Sequence, residues 1–406
     1  MKICRFLALI AATAPFAAGQ LYLLGGTPPQ DGSYRGTSAA LFRVGDDGSI
    51  KRTLTLVEAP RWEDDPRGKD LPKKDKPGLE WIGIAYEWRK LVLLTAFPDG
   101  ALIVVDFDKA SVVKRCSDAD APGDHLPEEW FADAPGHGPS FEWADSTPGD
   151  TSGLPNRIRG LVLDPSVPCS RSIFPLTPED IKGAITHGWG GGLAAYASGH
   201  LGVGLDQTTG SLFYVVNRRI PLDYKVPADL LRGFDRAEIG IDDSHVLELC
   251  LIGKNGAYRD LILRKSDHTW HTLPLALERP TYTRGFGRYL ALTEVQTASA
   301  KHPTSPGKEE LRTAPSELGP GSWVIEQGGH VLPGNLYIYD SDTERIFTIN
   351  THQGDSEVLL IEGGTVYWRA ARRLYSAPLT DSGVGQPRIL ANDEMILDTH
   401  YAFIKR

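Results

Sequence analysis

LEWIGIAYEWRKLVLLTAFPDGALIVVDFDKASVVKRC, residues 79–116, decides the fold. It splits into WIGIAYEW, KLVLLTAF, ALIVVDFD and SVVKRC, four short runs rich in β-branched, aromatic and leucine side chains. Arg89-Lys90, Pro98-Asp99-Gly100 and Lys109-Ala110 separate them. Pro presets φ and Gly accepts positive φ, so Pro-Asp-Gly is a turn with a mechanism. Four strands of this length joined by tight turns form one antiparallel sheet, the unit from which a β-propeller is repeated.

Working outward, similar pieces return. HLGVGLDQTTGSLFYVVN (200–217) reads strand, glycine turn, strand. GNLYIYDSDTERIFTIN (334–350) is another pair, with Asp340 to Glu344 as its turn. EVLLIEGGTVYWRAARRLYSAPL (357–379) gives three strands, the first two joined at Gly363-Gly364, and NRIRGLVLDP (156–165) opens a further unit. The spacing is irregular, so the repetition is weak rather than a strict array. A β-sandwich or two β domains is the competing architecture. Alternating short strands run from 20 to 406 with no linker, which favours one all-β propeller domain over 20–406. Its length suits six blades, with seven as the alternative. QLYLLGG (20–26) is a lone strand, and the C-terminal MILDTHYAFIKR supplies strands of an unfinished sheet. Pairing them would close the ring and remove open edges.

Long insertions are expected at 60–78, 117–155 and 297–322, where Pro, Gly and charge accumulate. The first and third read as solvated loops. For 117–155, with Trp130 and Trp143, a surface loop and a wall of the channel mouth weigh equally. Short helices are expected at 177–184, where Thr177, Pro178 and Glu179 resemble N-cap, N1 and N2, and at 227–232.

Residues 1–19 read as a secretory signal peptide. Lys2 and Arg5 precede an apolar stretch too short to span a bilayer, and Ala17 and Gly19 are small residues before a cleavage point. The expected destination is the secretory pathway, with no membrane span. Cys4 leaves with that segment, and of Cys116, Cys169 and Cys250 the first two border Pro/Gly-rich loops. In an oxidising compartment we pair Cys116 with Cys169. Cys250, in the apolar run VLELCLIG, reads as an inert buried thiol.

Charge excludes one class of partner. With 43 Lys+Arg against 52 Asp+Glu, the net charge is −9 and no basic stripe marks a nucleic-acid surface. There is no Gly-x-Ser-x-Gly elbow, no P-loop lysine in GWGGGLAAYASG (188–199) and no Cys/His zinc spacing.

GVGLDQTTGSLFYVVNRR, NRIRGLVLDP and NLYIYDSDTERIFTIN resemble blade segments of the gluconolactonase, strictosidine-synthase and yellow-type six-bladed propellers. Hydrolytic members of that group hold a divalent cation with Glu, Asn and Asp at the channel. Glu80 and Asn156 match two such positions. Leu201 stands where an Asn is expected, and only Asp398 is left to complete the set, so no metal is expected here. The signal peptide, the length and this incomplete set also resemble the secreted fungal hetero-Diels–Alderases. Those enzymes need no cofactor and join a tropolone-derived quinone methide to a humulene-type terpene. That resemblance implies a cofactor-free enzyme of secondary metabolism acting on a small apolar metabolite. A metal-dependent lactonase or esterase and a non-catalytic secreted binder are the alternatives. No oligomeric state is assigned. Residues at the ends of innermost strands and their loops meet at a propeller's channel. The candidate catalytic residues there are Arg284, His400 and Trp81. Candidate substrate contacts are Glu80, Asn156, Arg157, His187, Trp189, His200, Tyr282 and Trp323. His245 reads as strand surface.

Overall fold

In the computed structural model the chain is built almost entirely of β-strands. The structure describes residues 19–27, 38–57, 79–85, 89–95, 101–116, 140–145, 157–162, 164–166, 169, 171–175, 203–206, 210–216, 218–234, 236–242, 245–253, 258–273, 282–293, 309–313, 323–327, 335–351, 356–396 and 399–406. Residues 1–18 of the expected signal peptide 1–19, the loop expected at 60–78 and the helix expected at 177–184 lie outside them. At 227–232 there is a run of turns, with Leu230 N donating to the Pro227 carbonyl and Arg232 N to that of Asp229, rather than an α-helix. Six residues are too few for helical bonds to repay nucleation.

In chain order the strands are β1 (Gln20–Thr27), β2 (Ser38–Val44) and β3 (Ile50–Val57); β4 (Leu79–Ala85), β5 (Lys90–Thr95), β6 (Ala101–Asp106) and β7 (Ser111–Cys116); then β8 (Ser140–Asp145), β9 (Arg157–Val162) and β10 (Arg171–Pro175). Next come β11 (Val203–Asp206), β12 (Ser211–Val216) and β13 (Arg218–Lys225); and β14 (Arg236–Asp242), β15 (Val246–Ile252), β16 (Tyr258–Arg264) and β17 (Thr269–Thr272). The last groups are β18 (Tyr282–Phe286), β19 (Tyr289–Thr293), β20 (Glu309–Thr313), β21 (Trp323–Gln327), β22 (Asn335–Asp340) and β23 (Arg345–Asn350); β24 (Ser356–Glu362), β25 (Thr365–Ala370), β26 (Arg373–Thr380), β27 (Gly383–Val384) and β28 (Arg388–Asn392); and β29 (Thr399–Lys405).

They fall into seven sheets, each ordered as the chain runs apart from the first, the sixth and the seventh, in which β28 pairs with β26. The fold is a β-propeller, and the described strands form seven sheets, the alternative to the six blades expected first. β8, inside 117–155, supplies a strand of the third sheet, whereas β20, inside 297–322, only lengthens the sixth. Pro and Gly dominate those stretches and mask the short strand patterns between them. The sixth sheet is extended outward by the β20–β21 hairpin, which joins through a parallel pairing of β21 with β23. Ring closure follows the expectation. β29 pairs antiparallel with β1, Leu23 facing Ala402, so the first blade runs β29-β1-β2-β3.

Period two places the core between blades. Along β1, Tyr22 and Leu24 pack with Leu91, Leu93 and Ile103 of the second blade, while Leu23 packs with Leu359, Leu360 and Leu374 of the seventh. Successive side chains leave opposite faces of a strand, so every blade must be apolar on both. The same alternation puts Leu247, Leu249 and Leu251 in one cluster and Val246 in the next.

The turns repeat too. Asp47, Asp164, Asp267, Asp340 and Asp393 each accept, through Oδ1, the backbone N–H two residues on. This Asx turn satisfies a backbone donor where a hairpin reverses and, at Asp393, where the 3-10 turn Glu394–Ile396 begins. Ala110, His268 and Glu344 each stand just before the fourth strand of a blade with φ of 49°, 58° and 57°. Gly363 and Gly364 have φ of 59° and 70°, the pair of positive values that a type I′ hairpin needs.

Two ties hold the ring outside the core. Arg89 of the second blade pairs with Asp108 at 2.6 Å and Glu362 at 2.9 Å, and donates to the Ile404 carbonyl of β29. Cys116, ending β7, is bonded to Cys169, just before β10, as expected. Closing 53 residues of chain stabilises the fold by about 4 kcal/mol on the chain-entropy account.

Candidate functional site

The first strands of consecutive blades meet one another: β14 touches β18, β18 touches β24, and β24 touches β29. These strands line the axis, and on three of them one side-chain cluster assembles. Arg284, mid-strand on β18, reaches Glu357 of β24 at 2.5 Å. Its guanidinium also lies 4.2 Å from the centroid of the Tyr401 ring on β29. Glu357 is held from its other side by Arg369 at 3.2 Å. That pairing follows from the register of the β24–β25 hairpin, which sets Glu357 directly opposite Arg369. All four are buried: Arg284 is 8% exposed, Glu357 7%, Arg369 6% and Tyr401 5%.

Burying charge is costly unless it is paired and hydrogen-bonded. Here two guanidiniums share a carboxylate, and an aromatic face covers one of them. The cluster fixes a cationic hydrogen-bond donor at the axis before any ligand arrives. Chemically it can polarise a carbonyl or accept an oxyanion. Neighbouring hydroxyls add to the polar character of β24: Thr351 and Ser356 share a buried hydrogen bond of 2.5 Å.

The backbone places the other expected residues as follows. Glu80 and Trp81 lie on β4, the first strand of the second blade; Tyr282 begins β18, two residues from Arg284; and His400 is on β29, next to Tyr401. These four are on first strands, as a channel site requires. Arg157 begins β9, a second strand. Trp323 begins β21, which pairs outside β23, so its backbone stands on the outer side of the sixth blade rather than with the first strands. Inserted hairpins add to the free edge of a sheet, and the inner edge is already taken by the neighbouring blades. Asn156, His187, Trp189, His200, Leu201 and Asp398 lie outside the described residues. His245 is exposed, as expected.

Two parts of the chemistry escaped the sequence reading. Glu357 and Arg369 were not singled out: straight counting back from the Gly363-Gly364 turn sets Glu357 opposite Ala370, and only the bulge between Val358 and Leu360 brings it opposite Arg369. The second is a mixed cluster on the fifth blade. Glu248 and Cys250 alternate on β15, and Asp260 of β16 stands opposite Cys250. Their ligand atoms lie within 4.8 Å of one another, a spacing that fits a metal ion. Cys250 is half-buried beside two carboxylates rather than enclosed in apolar surroundings. These are second and third strands, so the group is separate from the axial cluster.

No family model and no curated protein matches the chain. Solved structures do. A candidate 6-phosphogluconolactonase of Bacteroides fragilis aligns over 96% of this chain and 99% of its own, at 12% identity and a TM-score of 0.43. One from Bacteroides uniformis aligns over 95% and 99%, at 10% identity and 0.43. TolB of Acinetobacter baumannii aligns over 92% of this chain and 67% of its own, at 10% identity and 0.34. Likeness at this distance carries no statement about activity, and the propeller assignment stands on the strand order itself. Among the described residues no helix is long and apolar enough to cross a membrane.

Proposed function

We propose that the chain is an enzyme of small-molecule metabolism that works at the propeller axis on an apolar partner bearing a carbonyl-type oxygen. The observation that carries this reading is the framing of Arg284, a buried first-strand guanidinium fixed by Glu357 and covered by Tyr401. A donor fixed in advance costs no reorganisation when charge develops on a bound oxygen. Such a donor draws electron density from an enone or quinone methide and makes its diene end more electrophilic. Holding two partners in a near-attack pose supplies up to about 7–11 kcal/mol of a cycloaddition barrier in ideal cases. The finer reading is therefore an intermolecular hetero-Diels–Alder reaction between a quinone methide and a terpene. The Cys116–Cys169 bridge supports a route through an oxidising compartment.

The test is direct. The purified chain is incubated with a quinone-methide precursor plus a humulene-type terpene, and separately with a panel of lactones and esters. Products are separated by chiral chromatography with mass detection. Adduct formed above the uncatalysed background, with one stereoisomer enriched, supports the cycloaddition. Lactone opening without adduct moves the assignment to a hydrolase, in which Arg284 would face the oxyanion. Turnover of neither panel overturns the enzymatic reading and leaves a secreted binder.

A further inference from the structure

We propose that Glu248, Cys250 and Asp260 form a binding site for a divalent ion of the zinc class, enclosed between the fifth and sixth blades. This inference is independent of the axial cluster, and its test reads no turnover. The register builds the group. Glu248 and Cys250 are two apart on β15 and so share a face. Asp260 of β16 stands directly opposite Cys250, and Ile262 opposite Glu248, with no bulge between them. Val246 and Ile262, on that same face, pack with Leu290, Leu292 and Tyr339 of the sixth blade. Three polar groups are thus set into an apolar layer between blades, and their ligand atoms lie within 4.8 Å of one another.

Acids gather on many exposed surfaces with no ligand between them. These acids are enclosed: Glu248 is 1% exposed and Asp260 5%. Aspartate and glutamate are almost never buried so fully without compensation. Two carboxylates this close in a dry layer repel, so they share a proton or a cation stands between them. A second observation favours the cation. Oε2 of Glu248 and Oδ1 of Asp260 are both buried and accept no hydrogen bond. Each side chain has contacts elsewhere that anchor it, and these two oxygens keep lone pairs for an ion. The arginines of β16 are committed away from the group. Arg259 donates to the Leu230 carbonyl at 3.3 Å, with its guanidinium 4.8 Å from the centroid of the Phe234 ring. Arg264 donates to Asp267 at 2.6 Å and to the Ser341 carbonyl at 2.8 Å.

The thiol selects the ion. Calcium and magnesium take oxygen ligands, whereas a thiolate beside two carboxylates suits zinc. Ligands about 2.0–2.3 Å from a tetrahedral ion stand about 3.5 Å apart, so side-chain movements on the order of 1 Å seat it. Water takes the fourth position. Binding replaces the S–H bond of Cys250 by an S–Zn bond, and the thiol proton leaves to solvent. Cys250 is only half-buried, which gives the ion a way in.

The untagged full chain is stripped with a chelator, dialysed against zinc alone, and separately titrated with cobalt(II) as a coloured substitute. The wild type should retain one zinc ion per chain. With cobalt(II) it should show the near-ultraviolet charge-transfer absorption of a thiolate ligand. Cys250→Ser should abolish that absorption. Glu248→Gln and Asp260→Asn should each weaken zinc binding by at least about a hundredfold, the upper end of what losing a residue behind a ligand costs. Zinc should raise the thermal midpoint of the wild type and leave that of Cys250→Ser unchanged. A wild type without the thiolate absorption overturns the proposal, and that reading needs no variant to fold. Zinc retention that survives all three substitutions also overturns it, since the ion would then sit elsewhere on the chain.

Discussion

Arg284, in mid-strand on β18, and Arg288, in the turn that leads to β19, belong to one hairpin and both face acids, yet the acids differ in kind. Arg284 meets the carboxylate of Glu357, and the three residues of the set Arg284–Glu357–Arg369 are buried. Arg288, 34% exposed, faces Asp340 at 3.5 Å, Asp342 at 3.4 Å and Asp381 at 3.1 Å, and donates to the Tyr289 hydroxyl at 2.5 Å. That hydroxyl first, and Asp340 against the opposing effect of burial, raise its pKa above the usual arginine value. Three acids around Arg288 give it the look of the more important residue. Burial reverses the ranking. Exposed pairs are worth about 0–1 kcal/mol, whereas removing one partner of a buried set leaves an uncompensated charge.

The comparison is tested most severely at Glu357. Glu357→Ala takes the shared carboxylate from two buried guanidiniums and should cost about 3–5 kcal/mol in a urea titration. A loss below about 1 kcal/mol would put the axial cluster on the same footing as the outer one. Activity separates the two arginines next. Arg284→Met, which keeps most of the buried stem, should lower turnover by about a hundredfold or more, the range for loss of one preorganised oxyanion donor. Arg288→Met should leave turnover at the wild-type value. Equal losses in both would show that the effect on rate is a matter of hairpin stability rather than of chemistry at the axis.

Which of these features the sequence discloses depends on how far apart in the chain its causes lie. Strands β4–β7 were readable because each pairs with its neighbour in sequence and the turns at Arg89 and Ala110 stand between them. Closure was readable because QLYLLGG stands as a lone strand pattern at one end of the chain and MILDTHYAFIKR as an unfinished sheet at the other. The bridge from Cys116 to Cys169 followed from compartment and loop position. Arg284 was picked as a cation on a strand entering the channel. Its partner was not, because Glu357 and Tyr401 reach it only through the meeting of β18, β24 and β29, which no local pattern encodes. The outer position of the Trp323 backbone was not readable for the converse reason. An aromatic at the start of a strand looks the same whether that strand begins a blade or is appended to its outer edge. The opening strand of the third blade was hidden by composition, since SFEWAD of β8 is flanked by proline and glycine.

A smaller effect is expected one blade earlier, where the outer acids can be titrated rather than mutated. Asp267 is held well below the usual carboxylate range, first by the Arg264 guanidinium and then by the Thr269 hydroxyl. A carboxyl whose folded pKa is depressed contributes stability that is present above its ordinary value of 3.8 and is lost as pH falls through the folded one. The wild type should therefore lose more stability than Asp267→Asn when the pH is lowered from 5 to 2.5. Because Asp267 is solvent-exposed, the difference should shrink in 0.5 M salt, where the screening length falls to about 4–5 Å. The Glu357–Arg284 pair lies out of reach of that screening, so the cost of Glu357→Ala should be nearly the same in both salts. A salt-insensitive acid limb at Asp267 would mean that its ion pair is shielded from solvent like the axial one, and the contrast between the two arginines of the β18–β19 hairpin would then rest on geometry instead of exposure.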